Sequence, residues 1–130
     1  WKAKMLDQYR PQALAGLRID SALLFLEHGT QKLLGFPDGG GNVASLISLM
    51  GLAGILELVG GILLVLGFKT RIAAFILSGE MAAAYWLAHA PKSPFPVLNG
   101  GDAAILFCFV LLHLVFAGPG AWCLDRQGER

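Results

Sequence analysis

The sequence predicts an all-α membrane protein, a transmembrane four-helix bundle with both termini in the cytoplasm. Hydrophobic residues make up 55% of the 130 residues and charged residues only 15%. Four apolar segments approach the roughly 20 residues that a helix needs to cross a hydrocarbon core. Lys and Arg concentrate on one side of the resulting four crossings. We therefore interpret residues 1–130 as a single four-span transmembrane domain.

The four predicted spans are bounded by charge, glycine or proline. The first is the least apolar and ends before a glycine-rich turn at 39–42. The third stops at Pro91, and the fourth ends at Gly118-Pro119-Gly120, because glycine and proline together cannot continue a helix. The second and third lack the polar face that a soluble helix needs, which disfavours a soluble bundle. The predicted spans are residues 11–36, 44–68, 71–90 and 102–118.

The predicted orientation follows from the distribution of basic residues. Four crossings place both termini on the same side of the membrane, and cytoplasmic loops near span ends are enriched in Lys and Arg. The side that holds the termini carries eight of the ten basic residues, whereas the other carries only Lys32 and Lys92. The eight are Lys2, Lys4, Arg10, Arg18, Lys69, Arg71, Arg126 and Arg130.

Composition also excludes several classes of protein. A formal net charge of +1 argues against a nucleic-acid partner. The two cysteines form neither a disulfide framework nor a Cys-x-x-Cys zinc or thiol-exchange motif. Cys108 and Cys123 would lie roughly 22 Å apart on a helix, too far for a disulfide. No metal is expected, and no haem either, because His28 and His113 differ in depth by roughly 10 Å along the membrane normal.

Two carboxylates occupy the middle of predicted spans. Glu57 in the second span and Glu80 in the third lie at similar depth, where an isolated charge is costly. Should they approach each other, repulsion and desolvation would favour at least one protonated carboxyl near neutral pH. The pair is either a proton-carrying or ligand-binding site, or two structural carboxyls satisfied by neighbouring donors.

The first span carries two polar stripes that we expect to face the bundle interior. Arg18, Ser21, Phe25, His28 and Lys32 follow a 3-4-3-4 spacing and share one helix face. Arg18 also lies low enough to reach the cytoplasmic interface by snorkelling. The adjacent face is formed by Asp20, Leu24, Glu27 and Gln31, and the fourth span has a similar stripe of Asp102, Leu106, Phe109 and His113.

These positions give a set of candidate residues for a ligand or proton site. We expect Lys32 to pair with Glu27, Glu57 or Glu80, which would offset the desolvation of both partners. Small residues, among them Gly54 and Gly61 in the second span and Gly79 and Ala83 in the third, are interpreted as sites of close helix packing. The candidate site residues are Glu57, Glu80, His28, Lys32, Glu27 and His113.

An ordered set of short patterns resembles the DoxX family. The patterns are His28-Gly29-Thr-Gln-Lys32-Leu33-Leu-Gly35-Phe36, Glu57-Leu-Val-Gly60-Gly61, Leu66-Gly67-Phe-Lys-Thr70-Arg71-Ile-Ala73-Ala74 and Gly118-Pro119-Gly120-Ala-Trp-Cys123-Leu124-Asp125. The resemblance implies a four-helix, multi-pass protein of a bacterial or archaeal inner membrane. It also implies a link to membrane oxidoreductase assemblies, of which thiosulfate:quinone oxidoreductase is one.

Three functions remain open from the sequence. The first is an accessory subunit of a membrane redox complex, with no cofactor of its own but in contact with a quinone. A small proton-coupled transporter would instead use Glu57 or Glu80. A scaffold would recruit soluble enzymes through the loop at 69–71 and the C-terminal tail. The chain is expected to be a subunit of a complex rather than an enzyme by itself. The aromatic walls of a quinone site would come from Phe25, Tyr85, Trp86, Phe107 and Phe109.

Overall fold

The computed structural model describes residues 3–36 and 48–126, and every regular element in that part of the chain is a helix. The all-α class is therefore confirmed. The glycine-rich turn at 39–42 and the first residues of the second predicted span lie outside the described residues. The helices are α1 (Ala3–Asp7), α2 (Arg10–Leu34), α3 (Leu49–Leu66), α4 (Thr70–Ala84), α5 (Pro96–Asn99) and α6 (Asp102–Ala117).

The ends of the long helices follow local sequence signals. α2 ends at Gly35, whose φ of 72° is left-handed and therefore suits glycine, and whose N–H bonds to the Gln31 carbonyl. α3 begins after Ser48, whose side chain accepts a hydrogen bond from the Gly51 N–H. α4 continues through a π-helical turn at Tyr85–His89 and a 3₁₀ turn at Ala90–Lys92.

Two stretches are long and apolar enough to cross a membrane. They are α3, and α4 together with the turns that extend it to Lys92. α6 is also apolar but has only 16 residues. α2 has 25 residues, yet its polar stripes keep it out of this group. Four crossings, with both termini in the cytoplasm, stay a prediction.

The long helices pack in pairs around an apolar core. α2 packs on α3, α4 packs on α6, and α3 contacts α4. The rings of Phe25 on α2 and Phe107 on α6 lie 4.9 Å apart, so α2 also contacts α6. The core is formed by Ala22, Phe25, Leu64, Ala73, Ala74, Leu77, Met81, Leu111 and Leu114.

Glycines set the approach of α2 to α3. A Cβ on Gly29 would lie 2.8 Å from the backbone nitrogen of Leu58, and one on Gly61 would lie 3.2 Å from the Ala22 carbonyl. The packing interpretation is therefore confirmed for the second span. It is wrong for the third, because Gly79 and Ala83 are exposed and a Cβ on Gly79 would meet no atom within 4 Å.

The outward faces of α4 and α6 are largely apolar. Ile72, Phe75, Phe109 and Phe116 expose 62% to 74% of their surface. A soluble monomer rarely leaves such a continuous apolar surface to water, and a helix in a bilayer needs it.

Candidate functional site

Three helices bring one ammonium and two carboxyl groups together. Lys32 Nζ on α2 lies 2.5 Å from Glu57 Oε2 on α3, so the predicted pairing of Lys32 is with Glu57. The Glu57 side chain is 1% exposed and that of Lys32 is 25% exposed. Glu80 on α4 lies within hydrogen-bonding reach of the Glu57 carboxyl. These three residues form the carboxyl site.

One oxygen of each carboxyl group is buried without a donor. Glu57 Oε1 and Glu80 Oε1 have no hydrogen-bond partner in the described part of the chain. Two ionised carboxylates repel each other, whereas a single proton on one of them would let it donate to the other. The carboxyl site is therefore chemically suited to hold a proton or to accept a hydrogen bond from a ligand.

Gly54 lets the lysine reach this position. It lies one turn before Glu57, and a Cβ there would fall 2.9 Å from the Leu33 side chain and 3.2 Å from Cβ of Lys32. A larger residue would push the end of α2 away from α3 and lengthen the Lys32 to Glu57 contact. The glycine is part of the site because of the space it leaves.

Three of the six candidate residues lie outside the carboxyl site. Glu27, His28 and His113 are exposed. The expectation that both stripes of the first span face inward is therefore wrong for the stripe of Asp20, Leu24, Glu27 and Gln31, of which the first three are exposed and Gln31 is half-buried. The stripe of Asp102, Leu106, Phe109 and His113 on α6 is exposed as well.

Helix geometry explains why some of the candidate side chains on α2 are buried and others are exposed. α2 contacts α3 and α6 along a narrow arc that includes Phe25 and Gly29, and each step along the sequence rotates the side chain by about 100°. Arg18, Ser21 and Phe25 lie on that arc and are buried, as predicted, and Lys32 is half-buried. His28 lies at the edge of the arc and faces outward.

Arg18 does not snorkel to the interface. It is completely buried, and its guanidinium donates hydrogen bonds to the carbonyls of Leu64 at 2.8 Å, Ala121 at 3.0 Å and Trp122 at 2.7 Å, and also to that of Pro119. These acceptors lie at the end of α3 and in the segment after α6. Arg18 therefore fixes the C-terminal segment to the helices.

Asp125 and Arg71 extend this junction to α4 and α6. The Asp125 carboxylate accepts hydrogen bonds from the N–H groups of Lys69 at 2.6 Å and Thr70 at 3.1 Å, at the start of α4. Arg71 donates to the carbonyls of Val115 and Phe116 at the end of α6. These bonds pair N–H groups at the start of α4 and carbonyls at the end of α6, which a helix leaves without intrahelical partners. A cavity of about 180 Å³ lies beside Lys69, Thr70, Arg71, Ile72 and Asp125.

The aromatic residues expected to surround a quinone are dispersed. Phe25 packs against Phe107, and the hydroxyl of Tyr85 accepts a hydrogen bond from the Asn99 amide. Trp86 and Phe109 are 69% and 64% exposed. Within residues 3–36 and 48–126, no group of three His, Cys, Asp or Glu side chains is placed to hold a metal ion.

The chain is similar to the DoxX family model and to two uncharacterized proteins. The DoxX family model matches residues 13–90, which include the whole carboxyl site. An uncharacterized protein of Haemophilus influenzae is 48% identical over 127 residues, covering 94% of this chain and 95% of the relative. The uncharacterized membrane protein Rv3486 of Mycobacterium tuberculosis is 28% identical over 151 residues, covering 95% and 86%. No solved structure matches the chain.

Proposed function

The chain belongs to the DoxX family of membrane proteins, and on that premise we propose that it is an accessory subunit of a membrane-bound oxidoreductase or respiratory assembly. In this proposal the chain crosses a bacterial or archaeal inner membrane several times. Its own contribution is to hold and exchange a proton at the carboxyl site. The observation that carries the proposal is the pair of buried, unpartnered oxygens on Glu57 and Glu80 beside the Lys32 ammonium.

The three side chains of the carboxyl site have different roles. Lys32 bonds to Glu57 Oε2 and balances one negative charge. With a proton on Glu80, that carboxyl donates to Glu57, and the site then contains one cation and one anion. Loss of the proton would leave the buried Glu57 carboxylate and the half-buried Glu80 carboxylate beside one ammonium, which low-dielectric surroundings penalise. The proton therefore leaves only as another donor or cation arrives, which couples proton release to binding.

A purely structural ion pair accounts for less of the site. Lys32 and Glu57 alone would balance charge between α2 and α3. A second carboxyl brought to the same place adds a desolvation cost that packing does not require. An apolar residue at position 80 would serve packing better, so the third group favours proton exchange.

A quinone fits this chain only in part. A quinone supplies reduction coupled to proton uptake, and its head needs polar groups for its carbonyls and apolar or aromatic walls. The carboxyl site offers the polar groups. The aromatic residues of the chain pack elsewhere, on Phe107, on Asn99 or on the outer surface. The described residues therefore do not form a quinone site by themselves, and we derive no step through a quinone.

Two other functions would use different parts of the chain. A proton-coupled transporter would use the same two carboxyl groups, and it is favoured by their burial at the contact of three helices. A scaffold would recruit partners through the loop at 69–71, but Thr70 is buried and Arg71 bonds to the end of α6. The loop therefore offers less free surface than a recruiting segment needs.

Purification from native membranes in mild detergent tests the proposal. We expect the subunits of a redox enzyme to copurify with the tagged chain, and Glu80→Gln to lower the turnover of that assembly without releasing the chain. Asp102→Asn is the matched control, because that carboxyl is exposed. Substrate-dependent proton flux in vesicles that contain this chain alone would favour the transporter. Unchanged turnover in both Glu57→Gln and Glu80→Gln would reduce the site to a structural role.

A further inference from the structure

α2 presents a partly polar seam on its outer surface. The seam consists of Leu17, Asp20, Leu24, Glu27, His28 and Gln31, whose spacing repeats every seven residues as in helices that pair along their length. Leu17 and Leu24 are 38% and 39% exposed, and Glu27 and His28 are exposed. No hydrogen bond or ion pair reaches the side chains of Glu27 or His28 from any other described residue.

Lipid chains make unfavourable contacts with the charged side chains of this seam. In the four-span arrangement of the proposed function, on which this inference rests, α2 lies in the membrane, where a charged side chain usually faces a partner or a water-filled cavity. The outward faces of α4 and α6 differ, because large apolar side chains such as Phe75 and Phe116 dominate them. The seam therefore has the composition of a contact between proteins.

We propose that a second copy of this chain covers the seam, with the two α2 helices parallel around a two-fold axis and Glu27 of each copy bonded to His28 of the other. Adjacent residues on one helix diverge by about 100°, so Glu27 and His28 do not meet within one chain. They lie on opposite flanks of the line through Leu24 and Gln31. A two-fold axis along that line brings the two flanks together at nearly equal depth.

The self-complementary charges of the seam are the reason for choosing a second copy. A two-fold contact uses the same patch on both partners, so each patch must carry both members of every pair. Glu27 supplies the acceptor and His28 the donor, and they differ by about 1.5 Å along the helix. Leu17 and Leu24 then contact their own copies at the axis. A contact with a different protein would not require Glu27 and His28 to be complementary within a single seam.

Cysteine crosslinking in native membranes tests the contact. In a background with Cys108→Ser and Cys123→Ser, Leu24→Cys is expected to form a disulfide-linked dimer of this chain, identified by mass spectrometry. Leu23→Cys is the matched control, because Leu23 is 55% exposed but its side chain is rotated by about 100° from that of Leu24. A crosslink from Leu24→Cys to a different protein, or equal dimer formation by both variants, would overturn the proposal.

A charge exchange tests the pairing itself. His28→Glu should lower the crosslinked fraction of the Leu24→Cys chain at least fivefold, because four carboxylates would then surround the axis. The double variant Glu27→His with His28→Glu should restore it. Circular dichroism of each purified variant shows whether the helices have formed. Full crosslinking in folded His28→Glu, or no recovery in the folded double variant, would refute the pairing of Glu27 with His28.

Discussion

Lys32 and Arg18 lie on the same face of α2 but bond to different kinds of acceptor. Lys32 contacts a carboxylate, whose charge a proton removes, whereas Arg18 contacts four backbone carbonyls. The first arrangement responds to protonation. The second stays the same at any pH at which the protein folds, because arginine keeps its charge. We therefore assign chemistry to Lys32 and a structural role to Arg18.

The contact between Lys32 and Glu57 predicts a pattern of stability in paired substitutions. Lys32→Met leaves the buried Glu57 carboxylate without its cation and should lower the free energy of unfolding by about 3 kcal/mol. Lys32→Met combined with Glu57→Gln should recover most of that loss, because Glu80 then keeps its proton and no uncompensated charge remains. Unfolding in detergent monitored by circular dichroism measures both. Equal losses in the single and double variants would contradict this account, and Lys92→Met serves as the exposed control.

Arg18 should matter for stability rather than for activity. Arg18→Met leaves buried carbonyls without donors and should cost about 3 kcal/mol or more. It should also expose the segment 118–126 to limited proteolysis before the helices unfold. Arg10→Met is the control, since its side chain is 78% exposed and pairs with the exposed Asp7. A segment that stays resistant in Arg18→Met would show that Asp125 and the backbone bonds to Pro11, Leu66 and Gly67 hold it without Arg18.

At the scale of elements, glycines decide which helices come close. Gly29 faces the α3 backbone, whereas Gly79 faces open space. Gly29→Ala should therefore destabilise the protein by about 1–3 kcal/mol, and Gly79→Ala should be neutral or stabilise it by up to about 1 kcal/mol. Thermal unfolding of the two variants side by side is the measurement. The reverse order would mean that α2 and α3 do not pack as described.

The sequence predicts some features of the helices and of their contacts, but not others. The four apolar segments and the contact of Lys32 with a mid-span carboxylate are predictable, because charge inside a membrane helix is rare and needs a partner. The exposure of Glu27 and His28 is not, because the arc that α2 buries depends on where α3 and α6 lie. The bonds of Arg18 are not predictable either, since their acceptors are backbone carbonyls 46 to 104 residues away and carry no side-chain signal.

For the whole molecule, we predict that both termini lie in the cytoplasm. A reporter fused after Arg130 should then be active only if it works in the cytoplasm, and a cysteine placed between Pro91 and Pro96 should react with an impermeant reagent from outside. The excess of Lys and Arg on the terminal side is the physical reason. Labelling of that loop only after permeabilisation would reverse the orientation.

The central claim is that Glu57 and Glu80 share one proton beside Lys32, and infrared spectroscopy of the purified protein in lipid vesicles tests it most directly. A protonated carboxyl group has a C=O stretching band that an ionised carboxylate lacks. We predict one such band near neutral pH. It should disappear in both Glu57→Gln and Glu80→Gln, because the remaining carboxylate then pairs with Lys32, and it should persist in Asp102→Asn. A wild-type spectrum without the band, or a band that survives both glutamine substitutions, would contradict the claim.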